Sequence, residues 1–530
     1  MPTPTVRFLS CLAALVAGIA LPCSALAELR LNTPVPGVED YPPGTEISRS
    51  YRVLVKSATD TGDWNKVGDA TATYRFWPDY LDPETLPKKH SNIAVHAAQV
   101  DADERVRVRV EMIDGRSIDT LRLKPSRYTE MLATQKGGEN WIEFELDPFK
   151  LTRHVLVEIN APQIDSDALQ DGLMFFLNPL SEIPEGNVLV VPEGVVDESW
   201  EHMDDLNRIY ITEDSPWDAL YIPQNTIVDG RVDIRKEGFK VMGRGMIIGS
   251  RWPFVKSVPN WRERYPDWIS PGGEYVKPLL SYKNPEDADF TKSYFEGVLV
   301  AHPYHFSIGW AYLSENVKAF GWRYSSDGVH GTHKRGVFTK VNDDAVYVNE
   351  GSVEDSTFWH MVNGAIFQLG WGLGSDNNRE VHARRVDVVR GEWDIEPDGG
   401  LGKLGSPKNI PPQVAPDKGT NKALLAGTFR SGRPFTIRNK HFEDIRVEFQ
   451  ANRLFYLGSG TNTVSYEDFT FRDVYFEKKP HYNGVSNVLW GGNTVNGFLF
   501  DNFVVEGKKL ESIKDLEPLI QQNVGEMTFK

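Results

Sequence analysis

Two aspartates stand side by side in "VNDDAVYV" (Val341 to Val348), at the mouth of an apolar, β-branched run. A third, Asp327, lies upstream in "YSSDGVHG". Strand alternation gives Val346 and Val348 the core face and turns Asp343, Ala345 and Tyr347 outward. Asp344 shares the core parity, and a buried unpaired carboxylate is strongly unfavourable. A bulge or turn is therefore expected to carry it back to solvent. Lys340 has the parity of Asp344, which also points to a kink at Asn342. Carboxylates held side by side push one pKa upward, and this keeps one acid protonated near neutral pH. If the chain stacks in coils ~4.8 Å apart, Asp327 joins the pair on one patch. One carboxyl that protonates a leaving oxygen and another that activates water, ~6.5–9.5 Å apart, are what inverting glycoside hydrolysis requires.

Placing those residues calls for a β-rich scaffold. The chain has 530 residues, enough for two domains or for one domain and an elongated repeat. Residues 28–190 read as a β-sandwich. "SYRVLVKSA", "DATATYRFW", "NIAVHAAQV", "RVRVRVEMI", "NWIEFELD" and "HVLVEINAP" alternate apolar and polar positions. In the clearest run, Val106, Val108 and Val110 take one face and arginines the other. "DGLMFFLNPLSEIPEG" closes that domain and leads into a linker.

Over residues 191–530 short strands recur at a loose spacing of about 20 residues, punctuated by Asn, Asp and Gly, which suits a right-handed parallel β-helix. The predicted class is thus all-β, an N-terminal β-sandwich followed by a right-handed parallel β-helix. A second sandwich or a β-propeller is the competing reading, and no tryptophan-aspartate blade signature or strict repeat favours the latter. A helical period appears only in "KKLESIKDLEPLI", read as a cap.

Residues 1–27 read as a cleaved signal peptide. Arg7 is the lone charge, an apolar core follows, and Ala25-Leu26-Ala27 fits the cleavage site. The alternative is a retained anchor, for which the apolar run is short. The implied location is secreted or periplasmic, with no membrane association after cleavage. Cys11 and Cys23 both lie in this segment, so the mature chain has no disulfide and no thiolate metal site. Without Arg7 the formal charge moves from −16 to −17, which disfavours nucleic acid as a partner. The run "HKRGVFTK" (His333 to Lys340) is locally basic and leaves an acidic substrate open.

The ordered set Ser326-Asp327-Gly328, Asn342-Asp343-Asp344-Ala345, Trp359, and Asn363-Gly364 through Gln368 to Gly370-Trp371 resembles the core of glycoside hydrolase family 49, the dextranase and isopullulanase family. "LYIPQNTIVDGRVDI" and "FKVMGRGMIIGS" resemble its first coils, and the likeness runs from about Leu220 to Val389. The resemblance implies the same two-part β fold and an inverting mechanism. Asp343 would be the general acid, with Asp327 and Asp344 holding and activating the water. It implies a polysaccharide substrate, most simply an α-glucan such as dextran or pullulan, with no cofactor and no metal. Two positions depart from the pattern. Tyr347 stands where the family has Lys, and Ser-Ser-Asp replaces a Gln-Thr-Asp type of turn.

Further substrate contacts are expected from Tyr347, Trp359, Gln368, Trp371, Lys340 and His330. Trp322 and Trp393 flank the same region, and each tryptophan is either a sugar platform or core packing. Asn363 reads first as a structural ladder residue. His330 and His333 with Asp327 are a conceivable metal set, but hydrogen bonding to sugar is the simpler role. The Gly/Pro/Lys-rich stretches near residues 399–435 read as long loops or an insertion. The chain is expected to be a monomer. Two other classes stay open, a polysaccharide lyase, which needs a Ca²⁺ cluster and a basic residue, and a non-catalytic carbohydrate-binding β-helix.

Overall fold

The computed structural model describes residues 29–530 except 33–40, 43, 65, 75–93, 129–134, 137, 162–168, 170, 251–276, 282–291, 323–325, 362, 371–375, 393–421, 430–432, 460–463 and 483–485. The segment read as a signal peptide, Trp371, Trp393 and most of the Gly/Pro/Lys-rich stretch lie outside the described residues. Among those described, no helix is long and apolar enough to cross a membrane.

Ten strands between Leu29 and Asn178 form one sheet. Val106–Met112 is buried at every second residue, while Arg107 and Arg109 turn outward to Glu145 and Glu143 on the neighbouring strand. Phe144 and Phe175 touch with ring centroids 5.6 Å apart, although their strands are five steps apart across the sheet. The sheet therefore closes over itself around an apolar core. The two layers expected of a sandwich arise here from one continuous sheet. A register shift between Ile47 and Arg52 in Thr45–Ser57 supplies a local bend, and strand twist adds to it.

From Val188 to Phe529, 28 strands stack coil on coil as a parallel β-helix. One antiparallel pair, Phe498–Val505 with Lys508–Lys509, interrupts the parallel pattern. Parallel register places like side chains above one another. Phe442, Phe471, Phe500 and Phe529 form a ladder with centroids 5.1, 5.2 and 4.8 Å apart and rings within 14° of parallel. The Asn/Asp punctuation has a geometric cause. Asp355, Arg385, Asp444, Asp473 and Asn502 sit at one corner of successive coils with φ between 51° and 56°. Asn and Asp tolerate that left-handed bend better than most residues. The first described strand of the β-helix, Val188–Val190, begins just ahead of the boundary expected at residue 190.

The C-terminal helical period yields only a 3-10 turn, Ile513–Leu516. Pro518 ends it, and Leu519–Val524 rejoins the sheet beside Asn487–Asn496.

The outer face of the N-terminal sheet packs on one flank of the coils. Val95, Ala97, Leu156, Met174 and Phe176 meet Ile227, Ile248, Leu299, Phe320, Phe338 and Trp359 in one buried cluster. Charges cross the junction in compensated sets. Arg390 donates to Glu158 at 2.8 Å, with Lys124 3.7 Å and Arg122 2.9 Å from the same carboxylate. Arg244 lies 3.1 Å from Asp101 and 2.8 Å from Glu296.

Candidate active site

Three neighbouring coils build the carboxylate patch. Val329, Val346 and Phe367 pair in register and point into the coil core. Their successors His330, Tyr347 and Gln368 therefore form a column on the opposite face. The chain leaves strand geometry between Phe338–Val341 and Val346–Tyr347, and this turn carries Asp343 and Asp344. Asn342 fixes the turn. Its N–H donates to Ser326 Oγ (3.1 Å), its Nδ2 to the Trp322 carbonyl (3.1 Å), and its Oδ1 accepts from Asn363 N–H (3.2 Å). The motif glycines allow the coils to close. A Cβ at Gly364 would lie 2.4 Å from Asp343 C and Asp344 N, and its φ of 82° suits glycine. A Cβ at Gly328 would lie 2.2 Å from the Ala345 carbonyl oxygen.

The turn brings Asp327, Asp343 and Asp344 together, with one oxygen of each within 4.8 Å of the others. All three are buried, Asp343 being the most accessible at 7%. The expected return of Asp344 to solvent does not occur, because it is fully buried. Donors replace water instead. Asp344 accepts from Ala365 N–H (2.8 Å), Gln368 Nε2 (3.1 Å) and the Tyr347 hydroxyl (3.0 Å). Asp343 accepts from Asp344 N–H (3.0 Å) and Asn363 Nδ2 (2.9 Å). Three donors on Asp344 suit an ionised carboxylate.

Tyr347 sits between the other two acids, 2.8 Å from Asp327 and 3.0 Å from Asp344. A phenol has one proton to give. Its second short contact becomes a hydrogen bond when the other carboxyl carries the proton. Burial, then Asp327, Asp344 and Asp343, push the Tyr347 pKa well above its ordinary value, so the phenol stays protonated. Three carboxyls this close titrate as a coupled set.

His330 stacks on Tyr347 at 4.4 Å, with its Nε2 3.9 Å from Asp327 and its Nδ1 2.9 Å from Glu350. Burial raises the Glu350 carboxyl, but His330, Lys334 and the Gly331 N–H outweigh it and hold the pKa below the ordinary value. Buried Lys334 donates to the Gly331 and Tyr347 carbonyls, and burial lowers its pKa to about 8.

The patch therefore unites Asp327, Asp343, Asp344, Tyr347, His330 and Gln368. Lys340 and Trp359 go elsewhere. Alternation along Phe338–Val341 sends Phe338 and Lys340 toward the N-terminal sheet. Lys340 lies 3.2 Å from Glu392 and between the Trp322 and Trp359 rings, 4.6 and 4.0 Å from their centroids. Trp359 is fully buried and donates to Glu392 at 2.9 Å. Both residues serve the junction, because a cation and two rings leaving the same flank must be covered when the sheet docks. His333 also diverges from His330 and packs on Tyr312 at 5.1 Å.

Sequence reasoning missed Glu350 and weighed Asn363 as structural. Glu350 follows Tyr347 by three residues, and its link to His330 depends on stacking between coils rather than on local pattern. The three aspartate oxygens also have the spacing of a cation site. Protein donors already engage much of their lone-pair capacity, which suits proton chemistry better than a metal.

No family model matches the chain. Over 301 residues, 52% of this chain, it is 24% identical to a dextranase of Arthrobacter sp. (strain CB-8) and equally to a dextranase of Arthrobacter globiformis. The match spans 44% of the length of these relatives. Dex49A from Penicillium minioluteum superposes with a TM-score of 0.62 over 92% of this chain and 96% of that one. At 16% identity this establishes a common fold. The dextranase relatives and the shared fold agree with the resemblance to glycoside hydrolase family 49. Measured against the family pattern, the Lys-to-Tyr departure is central, since Tyr347 bridges two of the three carboxylates.

Proposed function

We propose that the chain is an exported glycoside hydrolase that cleaves an α-glucan, dextran- or pullulan-like, internally and with inversion. The observation that carries this reading is the buried set of three carboxylates with a phenol between two of them. Asp343, the most accessible of the three, protonates the departing glycosidic oxygen. Asp327 and Asp344 hold the attacking water, and the donors on Asp344 keep it ionised for base work. Tyr347 orients both and retains its own proton. Gln368 and His330 position these groups from the coils on either side. The proposed organisation is a signal over 1–27, an N-terminal β-domain over 28–190 and a catalytic β-helix over 191–530, acting as a monomer.

The dextranase names of the relatives support a glucan substrate. The basic run gives no support to an acidic one. Lys340 is engaged with Glu392, Lys334 with backbone carbonyls, and Arg335 with Glu315 at 3.1 Å. Tyr347 in place of Lys favours a linkage or ring substituent different from the family's usual one.

The test is incubation of the mature protein and Asp343→Asn with dextran, pullulan and several acidic glycans, following new reducing ends. The anomer first released is then read by NMR. Cleavage by the parent alone, with inverted product, is the expected result. Retained configuration would exclude the water-activation role, and silence on every glycan would move the reading to carbohydrate binding.

A further inference from the structure

A second cluster of metal-capable side chains lies on the coil surface, away from the carboxylate patch. Parallel pairing sets His382, in Val381–Gly391, opposite His441, in Phe435–Val447. Their rings stack 4.8 Å apart at 19°. Glu380 places one oxygen 3.0 Å from His382 Nε2 and 3.9 Å from His441 Nε2. One donor atom of each residue lies within 4.8 Å of the others.

We propose that Glu380, His382 and His441 form a binding site for a divalent transition-metal ion of the zinc type. Two imidazole nitrogens and a carboxylate oxygen are a donor set such ions prefer over Mg²⁺ or Ca²⁺. A tetrahedral ion with bonds of ~2.0–2.1 Å needs its ligand atoms about 3.3 Å apart. The observed 3.0 and 3.9 Å from Glu380 bracket that spacing, and rotation of the two rings out of their stack brings both Nε2 atoms onto one ion. The Glu380, His382 and His441 side chains are 67%, 37% and 26% exposed, which gives an ion a path in and water the fourth position. Neighbouring cations are drawn away. Lys440 donates to Asn377 Oδ1 and to the Arg379 and Arg438 carbonyls, and Arg379 donates to the Glu350 carbonyl. The strands are held in register on both sides, so the two histidine backbones are fixed as neighbours.

The location gives the ion a structural task. Paired neighbours in the adjoining coils are 29 or 30 residues apart, as for Phe442 with Phe471 and Val353 with Ala383, whereas His382 and His441 are 59 apart. An ion bound to both clips together the two coils that have the longer chain connection.

The test is calorimetric titration of chelator-treated, full-length protein with Zn²⁺. One equivalent is expected to bind, raising Tm by roughly 3–5 °C at a hundredfold excess over Kd. Cu²⁺ in its place is expected to give an electron paramagnetic resonance spectrum with two coupled nitrogens. His382→Ala and His441→Ala should each weaken Zn²⁺ binding ~100-fold or more, and Glu380→Gln ~10-fold or more. Their metal-free melting should match the parent, and so should cleavage of any glucan the parent cleaves. Asp343→Asn should bind Zn²⁺ as the parent does. No binding below ~100 μM, or undiminished binding by both histidine variants, overturns the site, and loss of binding in Asp343→Asn reassigns the ion to the carboxylates.

Discussion

Two buried charge clusters of this molecule differ in their balance. At the junction, Glu158 faces Arg390, Lys124 and Arg122, and Asp101 with Glu296 faces Arg244. In the patch, Asp327, Asp343 and Asp344 face one another across a neutral phenol. Desolvation disfavours charge in both places; at the junction guanidinium and ammonium groups face the carboxylates, and in the patch neutral N–H and O–H donors do so. The three close carboxyls of the patch are stabilised by these donors. The cluster of paired opposite charges reads as architecture, and the cluster of three close carboxyls as chemistry.

The comparison breaks most visibly at Asp343. Asp343→Asn is expected to lower glucan cleavage about 10²–10⁴-fold while Tm stays level or rises, because one like charge is gone. A fall in Tm with activity retained would reverse the assignment. Glu158→Gln should do the opposite. It leaves Arg390 buried without its counter-charge and should lower stability by about 3–5 kcal/mol, measured by urea unfolding, with turnover per folded molecule preserved. Tyr347→Phe should reduce kcat by ~10-fold and move the pH profile, since Asp327 and Asp344 lose the hydroxyl that bridges them. An unmoved profile would reduce Tyr347 to packing.

Acid sharpens the comparison, because each region has a buried histidine whose pKa burial lowers. Burial lowers His154, at the junction, to about 3, and His360, beside the Asn363–Gly364 backbone, to about 4. Both ionise near 6.5 in the unfolded chain. Below that pH the unfolded state binds more protons, so their contribution to stability is complete above it and declines as pH falls toward 4. Each should contribute a slope of about 1.4 kcal/mol per pH unit. Unfolding measured from pH 7 to 4.5 should show this fall, and His154→Asn should remove about half of the histidine share.

Much of the patch was legible because its determinants are local. Asp343, Asp344 and Tyr347 lie within five residues, and alternation already required a turn at Asn342. The glycines of both motifs follow from coil contact at Gly328 and Gly364. Glu350 was not legible, because its meaning depends on His330 lying one coil away.

Sequence by itself determined the β class, the change of texture near residue 190, and three aspartates spaced for adjacent coils. These follow from periodicity and turn chemistry, which act over a few residues. Tertiary structure decided the fate of each polar side chain that alternation turned away from the coil core. Lys340 and Asp343 are three residues apart, yet one meets Glu392 beneath the docked N-terminal sheet and the other joins the acids. Which face is covered depends on contacts such as Met174 and Phe176 against Phe338 and Trp359, made across more than 150 residues of chain. A buried charge takes its role from the partners that surround it, and here those partners come from distant coils and from the N-terminal sheet.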